Sequence, residues 1–275
     1  MGAVPLAAVD AHCHLDDFWE AGPASLEAVV QRAKAAGVAH VVVNGLWRGD
    51  TRDFGCAAAL ARQDPSFFSA SAAISPHDAA KACADDFERA EALARSPAVC
   101  AIGETGLEYH YDVGPHDVQM KVLRWHIRLA LAVRKPLILH IRDAHADALR
   151  IFREEGAAGH PVQIHCFSGT PSEARAWLDL GGHLSFSGML TFRRCQDIRD
   201  AARMAPEDRI LAETDSPYLA PVPHRGKVCE PGYVIETLKV LADVRGMSLE
   251  AAARATARNA AALFGFSLPA DGRAR

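Results

Sequence analysis

The chain has 275 residues, 49% of them hydrophobic and 23% charged, with a formal net charge of −4; it can bury a large core and is not a globally basic nucleic-acid coat, so any nucleic-acid contact needs a local patch. No apolar run reaches the ~20 residues of a membrane span, and the start, MGAVPLAAVD, lacks the basic region and cleavage pattern of a signal peptide, while Leu6 breaks the myristoylation pattern. Seven cysteines without CxxC spacing argue against a disulfide framework and for a reducing cytoplasm.

Short β-rich runs alternate with longer amphipathic stretches. In chain order the pattern predicts a strand over 9–14 and a helix over 23–36, then strand 40–46 and helix 51–62, strand 67–75 and helix 79–94, strand 99–108 and helix 117–133. Strand 136–141 and helix 144–155 follow, then strand 162–167 and helix 171–180, strand 183–188 and helix 192–204, strand 210–215, and helices 233–244 and 249–263. Val118, Val122, Trp125, Leu129 and Val133 form one helical stripe, and Pro23, Pro171, Gly37, Gly181 and Ser248 supply the expected helix punctuation. Eight strands alternating with helices, and no Gly-x-Gly-x-x-Gly after the first, favour a (β/α)8 TIM-type barrel over an open doubly wound sheet. The whole of 1–275 reads as a single α/β domain with peripheral tails at 1–8 and 267–275.

The first strand carries VDAHCHLD. Strand alternation makes His12 and His14 project together, with Asp10 behind them and Cys13 pointing away. Marking metal-binding residue types at the C-terminal ends of the other strands adds Glu104 (AIGETG), His140 (LILHIRD), His165 (QIHCFSG) and Asp215 (LAETDSP). All fall on the rim where barrel chemistry sits. One such residue is ordinarily a hydrogen-bonded structural group. Six in one small space, carboxylates included, would be costly to bury without a cation. They exceed what one catalytic ion takes, so the count fits two divalent ions about 3.5–4 Å apart, bridged by Glu104. His12, His14 and Asp215 would hold one ion, and His140 with His165 the other. Nitrogen and oxygen ligation suits Zn, Mn or Fe, and Mg less comfortably.

With these stretches, and with IGETGLEYHYD, HRGKVCEP and the terminal RNAAALF, the chain resembles the TatD-related family of metal-dependent hydrolases within the amidohydrolase-like superfamily. The resemblance runs over 9–264 and implies a (β/α)8 fold and a divalent-metal site (Mg, Mn or Zn) on His12, His14, Glu104, His140, His165 and Asp215. It further implies hydrolysis of phosphodiester bonds in DNA, typically as a 3′-to-5′ exonuclease on single-stranded ends. The chain departs from the family's usual pattern at Cys229, where Asn is usual, and at Glu108, where Asp is common; Cys229 lies in the loop expected to face substrate.

Metal coordination makes water a nucleophile near neutral pH, with Asp215 as the expected general base and Glu104 fixing the activated hydroxide. Arg142 shares the strand parity of His140, and His224, Arg225 and Lys227 cluster after the eighth strand, so these four are the candidate phosphate contacts. Tyr109, Tyr111, Phe167 and Tyr218 neighbour ligands and would suit stacking or loop packing. His40, His126, His160 and His183 carry no expected role, and Cys13 and Cys166 are expected to point into the barrel–helix layer. The rival readings are a metallohydrolase of a small amide, lactone or aminoacyl ester, and a catalytically silent metal-binding protein. Neither a membrane nor an obligate protein partner is implied.

Overall fold

The computed structural model describes residues 6–47 and 55–268. Eight strands form one parallel sheet in sequential order: β1 (Ala8–Cys13), β2 (Val38–Trp47), β3 (Phe68–Ile74), β4 (Val99–Glu108), β5 (Leu137–Arg142), β6 (Val162–Ile164), β7 (His183–Phe186) and β8 (Ile210–Ala212). Between them run α1 (Asp16–Glu20), α2 (Pro23–Ala35), α3 (Gly55–Gln63), α4 (Ala84–Ala94), α5 (His116–Val133), α6 (His145–Glu154), α7 (Pro171–Asp179) and α8 (Gln196–Met204), followed by α9 (Val234–Arg245) and α10 (Leu249–Phe264). This is the (β/α)8 barrel that the alternation predicts. No helix among the described residues is long and apolar enough to cross a membrane.

The sheet closes on itself between its first and last strands. Asp215 N donates to His12 O at 3.0 Å and His14 N to Ser216 O at 2.7 Å. Beside them the Asp10 carboxylate accepts from Thr214 N at 2.8 Å and from Thr214 Oγ1 at 2.6 Å.

Two irregularities shape the interior. Asp10 lies opposite Val41 and Cys13 opposite Val43, so three steps of β1 run against two of β2. Likewise Ile102 lies opposite Leu137 and Thr105 opposite Leu139. An extra residue in one strand switches the face of everything beyond it. Val41 and Val43 share a face, so Asp10 lies on the side of Cys13 and not, as simple alternation predicts, behind His12 and His14. The same device brings Glu104 inside, although Ala101, three residues earlier, also faces inward. The inner floor is apolar, built from Val9, Ala11, Val42, Ala101, Ile138 and Leu211 and continued by Ala257, Ala260, Leu263 and Phe264 of α10. Above it every inward side chain named below is polar.

The outer layer holds the larger core. Fully buried Trp177 of α7 meets Phe152 of α6 edge to face at 5.5 Å, and its indole N–H donates to His145 Nδ1 at 3.1 Å. Burying such a ring contributes on the order of 1.5–3 kcal/mol, and the polar edge needs the partner it has. Thr170 caps α7, accepting from Glu173 N while the Glu173 carboxylate accepts from Thr170 N.

Several boundaries differ from the sequence reading. The helix expected over 79–94 begins at Ala84, because Pro76–Asp78 forms a separate single turn capped by Ser75. The one expected over 192–204 begins at Gln196, after a turn at Gly188–Thr191. Residues 51–54 of the helix expected over 51–62 lie outside the described residues. The short α1 has no counterpart in the reading. Ala8, assigned to a tail, opens β1 fully buried, and Leu268 of the other tail packs against the floor cluster.

Gly106 fixes how closely β4 approaches β5: a Cβ there would lie 1.8 Å from His140 O, and the residue has φ +153°. Gly106→Ala is therefore expected to lose more than about 4 kcal/mol of stability, measured by urea denaturation; a midpoint within experimental scatter of the parent would refute the close-packing account.

Candidate metal centre

Glu104, 5% exposed, stands at the middle of the polar layer. Its Oε2 lies 3.4 Å from both His12 Nε2 and His14 Nε2. Asp215 Oδ1 completes this side at 3.7 and 3.5 Å from the same two nitrogens. On the other side Glu104 Oε1 lies 2.9 Å from His140 Nδ1 and 3.5 Å from His165 Nε2. The six residues singled out by the strand-end pattern thus form two donor groups sharing one carboxylate. Asp215 sits just past β8 with φ +59° and Cys166, after His165, has φ +44°; Asp is among the few side chains that tolerate that region, which clusters at functional sites.

The donor set fits divalent cations. His12 Nε2 and His14 Nε2 are 3.3 Å apart, and His140 Nδ1 and His165 Nε2 3.4 Å apart. Two imidazole lone pairs at that distance repel unless a proton or a cation lies between them. Ligands about 2.0–2.2 Å from a common ion fall roughly 3.0–3.7 Å from one another, the spacing found here. Burial, with the neighbouring His165, pushes His12 down to about 3, which leaves it a neutral lone-pair donor. Burial also works against a charged His14, yet Asp215 and Glu104 hold it up at about 9. Burial would raise Glu104, but His165, His12, His14 and His140 hold its carboxyl well below the usual range. The field that keeps a proton on His14 is the field a divalent cation would meet.

Carboxylates brace the two outer imidazoles. His165 Nδ1 donates to Glu213 Oε1 at 3.0 Å, and fully buried Glu213 also accepts from Cys166 N at 2.6 Å, Gln163 Nε2 at 2.9 Å and Ser185 Oγ. His140 Nε2 lies 3.1 Å from Glu108 Oε2. Such partners set the tautomer and ring orientation of a metal-binding histidine. The Nδ1 atoms of His12 and His14 are buried with no hydrogen-bond partner among the described residues.

A cavity of about 570 Å³ opens over this layer. Arg142 lies in its wall, as strand parity predicts, together with His77, Asp78, Tyr111 and Tyr218. The cluster at 224–227 is placed differently: His224 stacks on Tyr233 at 3.9 Å, the Arg225 guanidinium lies 3.9 Å over Phe192, and neither these nor Lys227 is in the cavity wall. Cys229 does not face substrate space; it is fully buried. Cys166, expected in the barrel–helix layer, lines the cavity instead, its Sγ 3.1 Å from Ser187 Oγ, because the left-handed backbone after β6 turns the chain inward. Of the four aromatics, Phe167 is 2% exposed and Tyr109 stacks on His116 and donates to Asp147, whereas Tyr111 and Tyr218 are exposed at the rim.

The sequence reading missed Glu108, Glu213 and His77. Parity alone would have marked the first two: Glu108 lies four residues beyond Glu104 on one strand and Glu213 two before Asp215. His77 sits in SPHD directly after β3, a rim position by its place in the chain.

An eight-stranded parallel barrel with two histidine–carboxylate groups on a shared glutamate, at the C-terminal rim, defines the class of barrel metal-dependent hydrolases. Residues 9–265 match the family described as TatD related DNase, and the chain belongs to that family. It is 38% identical over 256 residues to the metal-dependent hydrolase YabD of Bacillus subtilis, covering 93% of this chain and 98% of that one. It is 31% identical over 242 residues to the 3′-5′ ssDNA/RNA exonuclease TatD of Erwinia amylovora, covering 86% and 92%. The crystal structure of YjjV, a TatD homologue from Escherichia coli K12, superposes with a TM-score of 0.86 at 26% identity, covering 95% of this chain and 100% of that one.

Proposed function

We propose that this chain hydrolyses phosphodiester bonds in DNA with two divalent ions, removing nucleotides from the 3′ ends of single strands. The two histidine–carboxylate groups meeting on Glu104, with Arg142 in the wall of the same cavity, carry this reading. The similarity to an enzyme named a 3′-5′ ssDNA/RNA exonuclease supports the substrate class. His12, His14, Glu104 and Asp215 would hold one ion, and Glu104, His140 and His165 the other; Mg, Mn and Zn are the candidates. Bound there, such ions acidify water and neutralise charge developing on a phosphoryl group.

The chain's own groups do the rest. Glu104 keeps both donor groups in register through its two oxygens. Asp215, at the edge of the cavity, takes up the proton of the attacking water on its carboxylate. Arg142 offers a planar guanidinium to a phosphate oxygen. Glu213 and Glu108 hold the rings of His165 and His140 against rotation.

A second reading, hydrolysis of a small amide, lactone or aminoacyl ester, is favoured by one observation. Asp78, Glu104, Glu108 and Asp215 all line the cavity, whereas Arg142 is the one Lys or Arg in its wall among the described residues. Turnover of labelled single-stranded DNA with Mn2+, beside a lactone and an aminoacyl ester, separates the two readings. Arg142→Ala is expected to lower kcat/KM on DNA about 10- to 100-fold and to reduce the salt slope of binding by about one, with the neutral ester unaffected. Ester turnover without DNA turnover would exclude the nuclease reading.

A further inference from the structure

We propose that His77, Glu108 and the outer nitrogen of His140 form a third divalent-cation site beside the pair around Glu104. The three residues offer donor atoms within 4.8 Å of one another. Glu108 Oε2 lies 3.1 Å from His140 Nε2 and 3.7 Å from His77 Nε2. The longer distance exceeds a direct hydrogen bond, yet both fall within the roughly 3.0–3.7 Å that separates ligands about 2.0–2.2 Å from a shared ion. That is the spacing found around Glu104.

The donors are held in place. Glu108, 1% exposed, accepts from His110 N at 2.6 Å and from Tyr111 N at 3.0 Å, both on Oε1, which leaves Oε2 aimed at the two imidazoles. His77 belongs to the single turn Pro76–Asp78, with its backbone N–H on Ser75 Oγ. His140 presents Nδ1 inward to Glu104 and Nε2 outward to Glu108. A neutral ring carries one proton, so when Nδ1 faces an inner ion that proton is on Nε2. An outer cation displaces it: the N–H bond breaks, its electron pair goes to the cation, and the proton leaves to solvent. Two nitrogens and one carboxylate oxygen suit Mn, Zn or Co. The His77 side chain is 41% exposed, so an ion here faces the open cavity with coordination positions left for water or an anionic substrate oxygen.

The alternative occupant of this space is the Nε2 proton itself, with Glu108 only bracing His140. Counting ions distinguishes the two. The purified full-length chain is dialysed to equilibrium against saturating Mn2+, and bound metal per chain is measured by mass spectrometry. The inference deepens the metal-centre reading, and the comparison separates their fates. His77→Ala and His77→Asn remove an outer donor that touches neither Glu104 nor Asp215, and both are expected to bind one ion fewer than the wild type, three falling to two, with an unchanged melting temperature. One ion in the wild type falling to none would keep the outer site and discard the inner pair. Equal counts in wild type and both variants would overturn the outer site and leave the inner pair standing. A wild type that binds no Mn2+ would overturn both.

Discussion

Asp215→Asn is expected to lower kcat at least about 100-fold, and toward 10,000-fold if the carboxylate takes the whole proton load, while the melting curve stays close to that of the parent. Asn matches Asp in size and can keep the left-handed backbone at φ +59°, so the loss isolates the charge. In the metal-free chain Asp215 is a principal support of the His14 proton, so the variant should also bind Mn2+ more weakly on that side. The assay is single-turnover cleavage of an end-labelled oligonucleotide beside a thermal melt. Undiminished cleavage would remove Asp215 from the chemistry.

Glu104→Gln should have the larger effect on metal content, because one carboxylate serves both donor groups through separate oxygens. Removing a residue that only orients a ligand costs about 10–100-fold in metal affinity; removing a shared anionic donor is expected to cost at least that on each side. The purified variant should hold less than half the metal of the parent, and excess Mn2+ should restore little of its turnover. Metal content equal to the parent's would mean that the two histidine pairs bind without Glu104, and the shared-ligand account would fail.

The six central residues were legible because each breaks a local rule in the same way. A charged or imidazole side chain in or just past the C-terminal half of a strand whose body is apolar has no cheap structural explanation, and six on one rim have a common one. The alternation of strands and helices was legible for a similar reason, since the buried face of each element repeats with its own period. The bulges in β1 and β4 were not: an extra residue leaves no mark in composition, so Asp10 was assigned to the wrong face. Nor was the loop after β8, where His224 and Arg225 lie on Tyr233 and Phe192. A side chain laid on an aromatic ring outside its own local stretch, as Arg225 is on Phe192, reads as free from the neighbouring sequence alone. Glu108 and Glu213 were within reach of parity: Glu108 is the last residue of β4, and Glu213 follows β8 directly.

The seam between the outermost strands also has a bearing on when this protein becomes competent. Thr214 and Asp10 meet across 204 residues, and His12, His14 and Asp215 flank that junction. A nascent polypeptide emerging from the ribosome therefore carries two imidazoles, His12 and His14, at the end of its first strand that must wait until residue 215 before their opposite number arrives. Loading of metal on that side reports that the seam has closed, and chains that stop short of the eighth strand should remain inert toward their substrate.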